Sequence, residues 1–328
     1  MPYIRTEKHN AEKIRLDLLK KKILDPNFQI FSDDDFVYFP VIKNYLDYDI
    51  LPIDGKLRIH ENPYEKILKL IDIDDDLKKY VPKHWEKYGD VVLLQLPYKL
   101  YNYKGKIGEA FAKILHAKSV LIYKGVKGEL RIPDTEFIYG NDAITVHIEN
   151  GIYYKFDASR IMFSSGNVDE RIRMGKIDAS GEKIIDMFAG IGYFSLPIAK
   201  YAFPDEVISI EMNPESFFYL NENVKLNDVK IKTILSDNRD FYVSNYADRI
   251  IMGYIKTEEF VPYAMKMLKN KGMIHYHDTW TTEELNNKEI KVMEIFGDYI
   301  YDIKRFHVLK SYAPHIWHVV LDIKIRKV

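Results

Sequence analysis

Three short clusters in this sequence carry side chains that could grip a nucleoside. The first is Asp186-Met187-Phe188-Ala189-Gly190-Ile191-Gly192-Tyr193-Phe194. Gly190 and Gly192 let the backbone take unusual φ and approach a ligand closely, while Asp186, Phe188 and Ala189 shape the turn around them. The second is Glu211, a carboxylate that can accept from both hydroxyls of a ribose. It precedes Asn213-Pro214, a helix cap followed by proline at the first helical position, and the two roles are compatible. The third is Asp237-Asn238, where a carboxylate can accept from an exocyclic adenine amine and the adjacent backbone can meet the ring. Each cluster alone has an ordinary reading as a turn or cap. Their occurrence in order, each at the end of a predicted strand, points to one site.

The loop separates possible cofactors. A dinucleotide loop has three glycines in the spacing G-x-G-x-x-G. Here the register is D-x-F-x-G-x-G-x-F, and Ser195 stands where the third glycine would be wanted. That disfavours a pyrophosphate and favours S-adenosylmethionine, which has no phosphates. Cysteine is absent, which excludes disulfides, thiolate nucleophiles, iron–sulfur clusters and radical use of the sulfonium. Any sulfonium chemistry must be polar displacement.

The elements that position these clusters alternate. Strands are predicted over 183–188, 206–212, 231–235, 249–253 and 273–277, and helices over 194–201, 214–227, 258–269 and 282–296. Residues 301–310 and 316–325 form a closing antiparallel pair. This is α/β, a class I methyltransferase-like Rossmann fold, and it occupies residues 159–328. Residues 88–158 form a smaller N-terminal α+β domain, with strands over 91–96, 119–123, 135–139, 143–149 and 152–157, a helix over 107–116, and a hairpin turn at Asn150-Gly151. Residues 1–87 are predicted to be an irregular, partly helical arm. A helix covers 11–23, prolines 52, 63 and 82 interrupt the rest of the arm, and Asp74–Asp76 marks a helix start or an exposed loop.

The 328 residues carry 48 basic and 49 acidic side chains, a formal net charge of −1. The distribution is uneven. Between Leu96 and Arg131 stand Lys99, Lys104, Lys106, Lys113, Lys118, Lys124, Lys127 and Arg131 against Glu109 and Glu129, with Tyr98, Tyr101 and Tyr103 among them. Cations interleaved with aromatics suit a phosphate backbone with unstacked bases, although a solvated face reads the same way. No apolar run approaches a bilayer span, and residues 1–10 are polar, so a cytoplasmic, membrane-free protein is expected, with a monomer as default.

The loop at 186–192 resembles that of the tRNA guanine-N1 methyltransferases of archaea and eukaryotes and their wybutosine-synthesising relatives. Ile161-Met162-Phe163-Ser164-Ser165-Gly166-Asn167, followed by Glu170-Arg171, resembles the segment before the catalytic domain of the same group. The resemblance covers roughly residues 90–328. Within the group, the methyltransferase branch carries Asn-Leu-Pro at the end of strand four, where this chain has Gly253-Tyr254-Ile255, similar to the Gly-hydrophobic-Ile element of the aminocarboxypropyl branch. The methyltransferase-type arginine after Phe-Ser-x is replaced by Gly166-Asn167.

The resemblance implies transfer of the 3-amino-3-carboxypropyl group of S-adenosylmethionine to C7 of 4-demethylwyosine in tRNA-Phe, with methylthioadenosine leaving. The rival within the group is guanine-N1 methylation. A sulfonium has three electrophilic carbons, and the one presented in line with the nucleophile reacts. Replacing an asparagine and a φ-locked proline reshapes the wall that decides this. Gly253 is therefore a cofactor contact and Tyr254 a candidate catalytic residue. Ser164 or Ser165, with Arg171, would hold the methionine carboxylate or the ribose side. Arg171 could instead meet a tRNA phosphate. Glu170 would accept a proton or else pair with Arg173. No metal is expected. His275 and His277 share a strand face, but no third ligand accompanies them, and His318 reads as core packing. Two rivals lie outside the group: a non-catalytic RNA-binding protein with a vestigial cofactor fold, and a polyamine aminopropyltransferase, which would need an acidic pocket.

Overall fold

The computed structural model describes residues 1–43, 48–58, 62–128 and 130–327; Glu129 of the basic stretch lies outside them. The chain divides into two units, Met1–Lys66 and Ile67–Val328.

The first unit contains strand β1 (Pro2–Glu7), helix α1 (Ala11–Lys20) and strands β2 (Phe31–Ser32), β3 (Phe36–Pro40) and β4 (Ile50–Pro52). The strands form an antiparallel sheet in the order β2-β3-β1-β4. Ile4, Leu18, Ile23, Phe39 and Val41 fill its core. A sheet therefore stands where an irregular arm was expected. Strands of two to six residues are too short to display a two-residue alternation, and prolines at strand ends and edges disguise them further.

Helix α2 (Pro63–Leu70) runs across the division. The second unit continues with α3 (Asp75–Lys78), which starts at the acidic run, then β5 (Trp85–Tyr88), β6 (Val91–Leu94), α4 (Lys104–Leu115), β7 (Ser119–Lys127) and β8 (Ile132–Tyr139). Their sheet has the order β5-β6-β7-β8. Strands β6 and β7 are parallel and joined across α4, so β6 is buried throughout. Strands β9 (Ile144–Glu149) and β10 (Ile152–Asp157) form a separate hairpin. Its turn has φ of +49° at Asn150 and +75° at Gly151, the positive values that Asn-Gly accommodates.

The large sheet comprises β11 (Lys183–Asp186), β12 (Glu206–Glu211), β13 (Lys232–Leu235), β14 (Ala247–Met252), β15 (Leu268–Thr281), β16 (Ile300–Ala313) and β17 (Ile316–Arg326). Helix α5 (Val168–Met174) precedes it. Helices α6 (Ser195–Tyr201), α7 (Pro214–Leu226), α8 (Val261–Met267), α9 (Thr282–Asn286) and α10 (Lys288–Phe296) connect its strands. The order is β13-β12-β11-β14-β15-β17-β16. The first five strands are parallel and the last two antiparallel, the methyltransferase-like Rossmann layout that the alternating pattern predicts. The helix expected over 282–296 is broken at Asn287, whose φ and ψ of −115° and 36° leave the helical region.

One hydrophobic cluster joins the small sheet and hairpin to the cofactor loop: Tyr88, Val91, Leu121, Tyr154 and Phe156 share it with Phe163, Ile191, Leu196 and Tyr219. The outer edge of β10 is covered by α7. Asn223 and Asn227, one helical turn apart, receive the amides of Lys155 and Tyr153 at 2.7 and 2.9 Å and donate to their carbonyls at 3.1 and 2.7 Å.

Candidate active site

The sheet reverses direction of growth at β11, which has β12 on one side and β14 on the other. Ligands of open α/β sheets bind beyond the strand ends at such a point. Asp186, fully buried there, accepts from Ser195 Oγ at 2.6 Å and from the Phe188 amide at 3.2 Å. Burial pushes its carboxyl up to about 6. Ser195, which stands where a dinucleotide loop would have glycine, thus ties the start of α6 back to β11. Gly190 and Gly192 have φ of +57° and +100°. A Cβ on them would lie 2.5 Å from the Tyr193 ring and 2.7 Å from Leu196, so both glycines are required by shape as well as by φ.

Glu211 ends β12 and accepts from the Gly190 amide at 2.7 Å and the Asn213 amide at 2.8 Å. Burial raises its carboxyl above the ordinary range. It fixes the loop and still has lone pairs for ribose hydroxyls. Asn213 caps α7 by accepting from the Glu215 amide at 3.0 Å, with Pro214 beginning the helix. Past β13, Asp237 is held in a two-pronged pair by Arg239 at 2.6 and 3.0 Å, which keeps its carboxyl below the usual range. Asn238 donates to the Met187 carbonyl, while its buried Oδ1 has no partner among the described residues. An orphaned acceptor beside the loop suits an amine donor such as that of adenine, so these residues fit an adenosine moiety.

At the end of β14, a Cβ on Gly253 would stand 2.5 Å from the Phe194 ring. Phe194 packs in turn on His277, ring centroids 5.1 Å apart. Tyr254 stacks on Phe188 at 5.6 Å, and Phe260 meets the edge of that pair at 5.1 Å. The wall beyond β14 is therefore aromatic, and the glycine is set by the phenylalanine beneath it.

The side chains of the segment before α5 find partners within the protein. Arg171, 3% exposed, forms a fork with Glu149 at 2.6 and 2.7 Å and donates to the Ser164 carbonyl at 2.9 Å. Its guanidinium also covers the Phe163 ring at 4.6 Å. It presents no open fork to a ligand and instead positions Ser164. Ser165 donates to Glu86 at 2.8 Å. Glu170 accepts from Arg173 at 2.5 and 2.9 Å, so the structure realises the Arg173 pairing. Arg173 continues to Asp322 at 2.7 Å, and Asp322 to His275 Nδ1 at 2.5 Å. Since Arg249 donates to His275 Nε2 at 2.7 Å, the proton of that imidazole sits on Nδ1.

His277 Nδ1 lies 3.3 Å from His318 Nε2, and His277 Nε2 is 3.7 Å from Glu170. The favourable tautomers put hydrogens on both Nε2 atoms, so that His318 donates to His277 and His277 faces Glu170 with N–H. Sequence reasoning missed Glu149, which β9 brings in and no local signal marks. His318, expected as core packing, is buried on β17. The ring of Phe194, inside the loop motif itself, was left unused.

The family model described as the TRM5/TYW2 methyltransferase domain matches residues 145–303. That of the TYW2 N-terminal domain matches residues 64–143, and that of the tRNA methyltransferase 5 N-terminal domain residues 4–49. A Pyrococcus horikoshii protein named tRNA(Phe) (4-demethylwyosine(37)-C(7)) aminocarboxypropyltransferase is 45% identical over 262 residues, 78% of this chain and 94% of that protein. This chain belongs to the TRM5/TYW2 family. Another member of the TRM5/TYW2 family, the Pyrococcus abyssi tRNA (guanine(37)-N(1))-methyltransferase Trm5b, is 30% identical over 332 residues, 96% of each chain. The solved P. horikoshii TYW2 in complex with MeSAdo superposes with a TM-score of 0.72 at 41% identity, covering 81% of this chain and all of that one.

Proposed function

We propose that this chain transfers the 3-amino-3-carboxypropyl group of S-adenosylmethionine to C7 of 4-demethylwyosine in tRNA-Phe. The observation that carries this is Gly253 seated against Phe194, which leaves no room for the asparagine of a methyltransferase wall. The 45% identity to the P. horikoshii aminocarboxypropyltransferase, against 30% to Trm5b, supports the same choice. S-adenosylmethionine supplies an electrophilic γ-carbon, and methylthioadenosine leaves. Gly190 and Gly192 bring the backbone against the adenosine, Glu211 accepts from the ribose, and Asn238 Oδ1 accepts from the adenine edge. Phe188 and Tyr254 exclude water from the reacting end. Glu170 acts through Arg173 to hold α5 against β17, and Arg171 sets the Ser164 turn. Incubation with S-adenosylmethionine and tRNA-Phe bearing 4-demethylwyosine releases methylthioadenosine on this reading. Release of S-adenosylhomocysteine with a methylated base would overturn it.

A further inference from the structure

Beyond the ends of β14 and β15, between α8 and α10, the protein has a cleft of about 650 Å³. That volume is within the range of ligand pockets. Segment 254–260 separates the cleft from the cofactor wall. Tyr254 and Phe260 turn one flank of the segment toward Phe188, while Lys256, Glu258 and Glu259 line the cleft on the other. The segment is pinned to β15. Asp278 accepts from the Lys256 amide at 2.8 Å, and Thr257 Oγ1 donates to the His277 carbonyl at 2.9 Å. Lys256 has φ of +58°, a region that non-glycine residues adopt at a cost and that marks functional positions more often than others.

Most of the charge in this cleft is spent internally. Lys291 bridges Glu258 at 3.0 Å and Glu284 at 3.3 Å. Asp278 also accepts from the Thr279 amide at 2.7 Å and from the Tyr276 hydroxyl. Four groups are left over. The Lys256 ammonium and the Glu259 and Glu294 carboxylates form no ion pair among the described residues; Arg239 acts on Glu259 only from longer range. Trp280, fully buried, lines the cleft, and its Nε1 has no hydrogen-bond partner among the described residues. An indole N–H can only donate, and leaving it buried and unpaired costs free energy that a bound acceptor restores. The cleft thus offers two donors and two acceptors. A polyamine brings donors alone and would leave Trp280 unpaired. A phosphate brings acceptors alone and would meet two carboxylates. The edge of a nucleobase with an exocyclic amine beside a ring nitrogen brings both.

The reacting base is not the occupant. It must come within about 3–3.5 Å of the carbon it attacks, and no residue of the glycine loop or of the other two strand-end clusters lines this cleft. The thickness of segment 254–260 lies between the two places, which suits the next nucleotide along the RNA. The basic stretch leaves few cations for such a task, because Lys104, Lys106, Lys118, Lys124 and Lys127 each hold a carboxylate. We propose that the cleft beside Lys256 receives an unstacked base flanking the modified nucleotide of the tRNA. Lys256 and Trp280 Nε1 donate to that base, and Glu259 and Glu294 accept from its amine. Bases splayed out of single-stranded loops are read in this way. The choice of ligand rests on the tRNA-modifying reading above.

The test measures binding to the full chain without turnover. The ligands are tRNA-Phe, the same tRNA with an abasic site at either flanking nucleotide, and methylthioadenosine. Lys256→Met and Glu294→Ala change exposed side chains, and Trp280→Phe removes the N–H while keeping an aromatic ring. Each is expected to weaken intact tRNA by about three- to tenfold, as loss of a hydrogen bond does, and to leave methylthioadenosine affinity within about twofold. At one of the two flanking positions, the abasic tRNA binds the unaltered chain more weakly and no longer distinguishes it from the variants, as expected for groups in contact. Equal losses on intact and abasic tRNA at both positions, with the salt slope smaller by about one in Lys256→Met, would reveal a phosphate contact and overturn the site. Unchanged tRNA affinity in Lys256→Met and Glu294→Ala also overturns it; loss of spermidine binding in Glu294→Ala at the same time would assign the cleft to a free amine instead. The two exposed variants decide the matter even if Trp280→Phe fails to fold. Because no product is measured, failure here leaves methylthioadenosine release as a separate test of the group-transfer reading.

Discussion

Gly253 has room for a hydrogen atom and little else, because the Phe194 ring lies where a Cβ would go. Gly253→Asn must therefore displace Phe194 and, behind it, His277. Overpacking of this kind costs about 1–3 kcal/mol, so we expect a lowered thermal midpoint and loss of transfer, without the appearance of methylated base. A variant that gained methylation would show that the wall alone chooses the reacting carbon. Arg171 makes a second prediction at this scale. Removing one partner of a buried ion pair costs roughly 3–5 kcal/mol, so Arg171→Ala should lower stability by that order in denaturant unfolding. Glu149→Ala, Arg171→Ala together should cost less than the sum of the two. If Arg171 held a ligand instead, stability would barely change and cofactor affinity would fall. Burial opposes ionisation of Glu149, yet Arg171 and His147 hold its carboxyl down at about 2. Its folded value lies below its unfolded one, so the pair's contribution is complete above about 4.5 and is lost as pH falls toward 2.

Strands β15 and β17 together with α5 assemble the buried chain of His275, Asp322, Arg173, Glu170, His277 and His318. Burial depresses both His277 and His318 to about 3. The unfolded chain takes up protons below about 6.5 that the native protein refuses, so stability falls as pH drops below that value. Urea midpoints measured between pH 7 and pH 4 should show this slope, and a His277→Asn, His318→Asn variant should flatten it. A slope unchanged in that variant would mean that the two imidazoles titrate alike in both states. The same elements mark the limit of what the sequence reveals. The parallel strands were legible because strands such as β14 centre on a short buried apolar run, here Ile250-Ile251-Met252, bounded by turn residues. The loop and the three strand-end carboxylates followed from them. The pairings Lys310 with Ser164 and Arg171 with Glu149 were not legible, because strand register and helix docking create them across long separations. The short strands of the first unit were hidden for want of length.

As a whole the molecule is nearly neutral, with 48 basic and 49 acidic side chains, and most of its conspicuous basic stretch is internally compensated. Affinity for RNA should therefore come from a few uncompensated cations and have a modest dependence on salt, rather than the steep one of a polycation. The division at Lys66 carries a further expectation: residues 67–328, which contain the loop, all three strand-end clusters and the shared core, should fold alone and melt cooperatively. Their affinity for S-adenosylmethionine should be within about threefold of the full chain, on the principle that independent units lose little when separated. A broad, non-cooperative melt would show instead that the first unit completes the fold. The amide side chains of α7 and its C-cap have one more consequence. Asn223 and Asn227 serve the edge of β10 as a neighbouring strand would, supplying donor and acceptor in alternation. That rim is closed to any extended peptide seeking to add itself. In deuterium exchange, the amides of Tyr153 and Lys155 should be retained as long as those in the middle of a sheet, and Asn223→Ala should release Lys155 first.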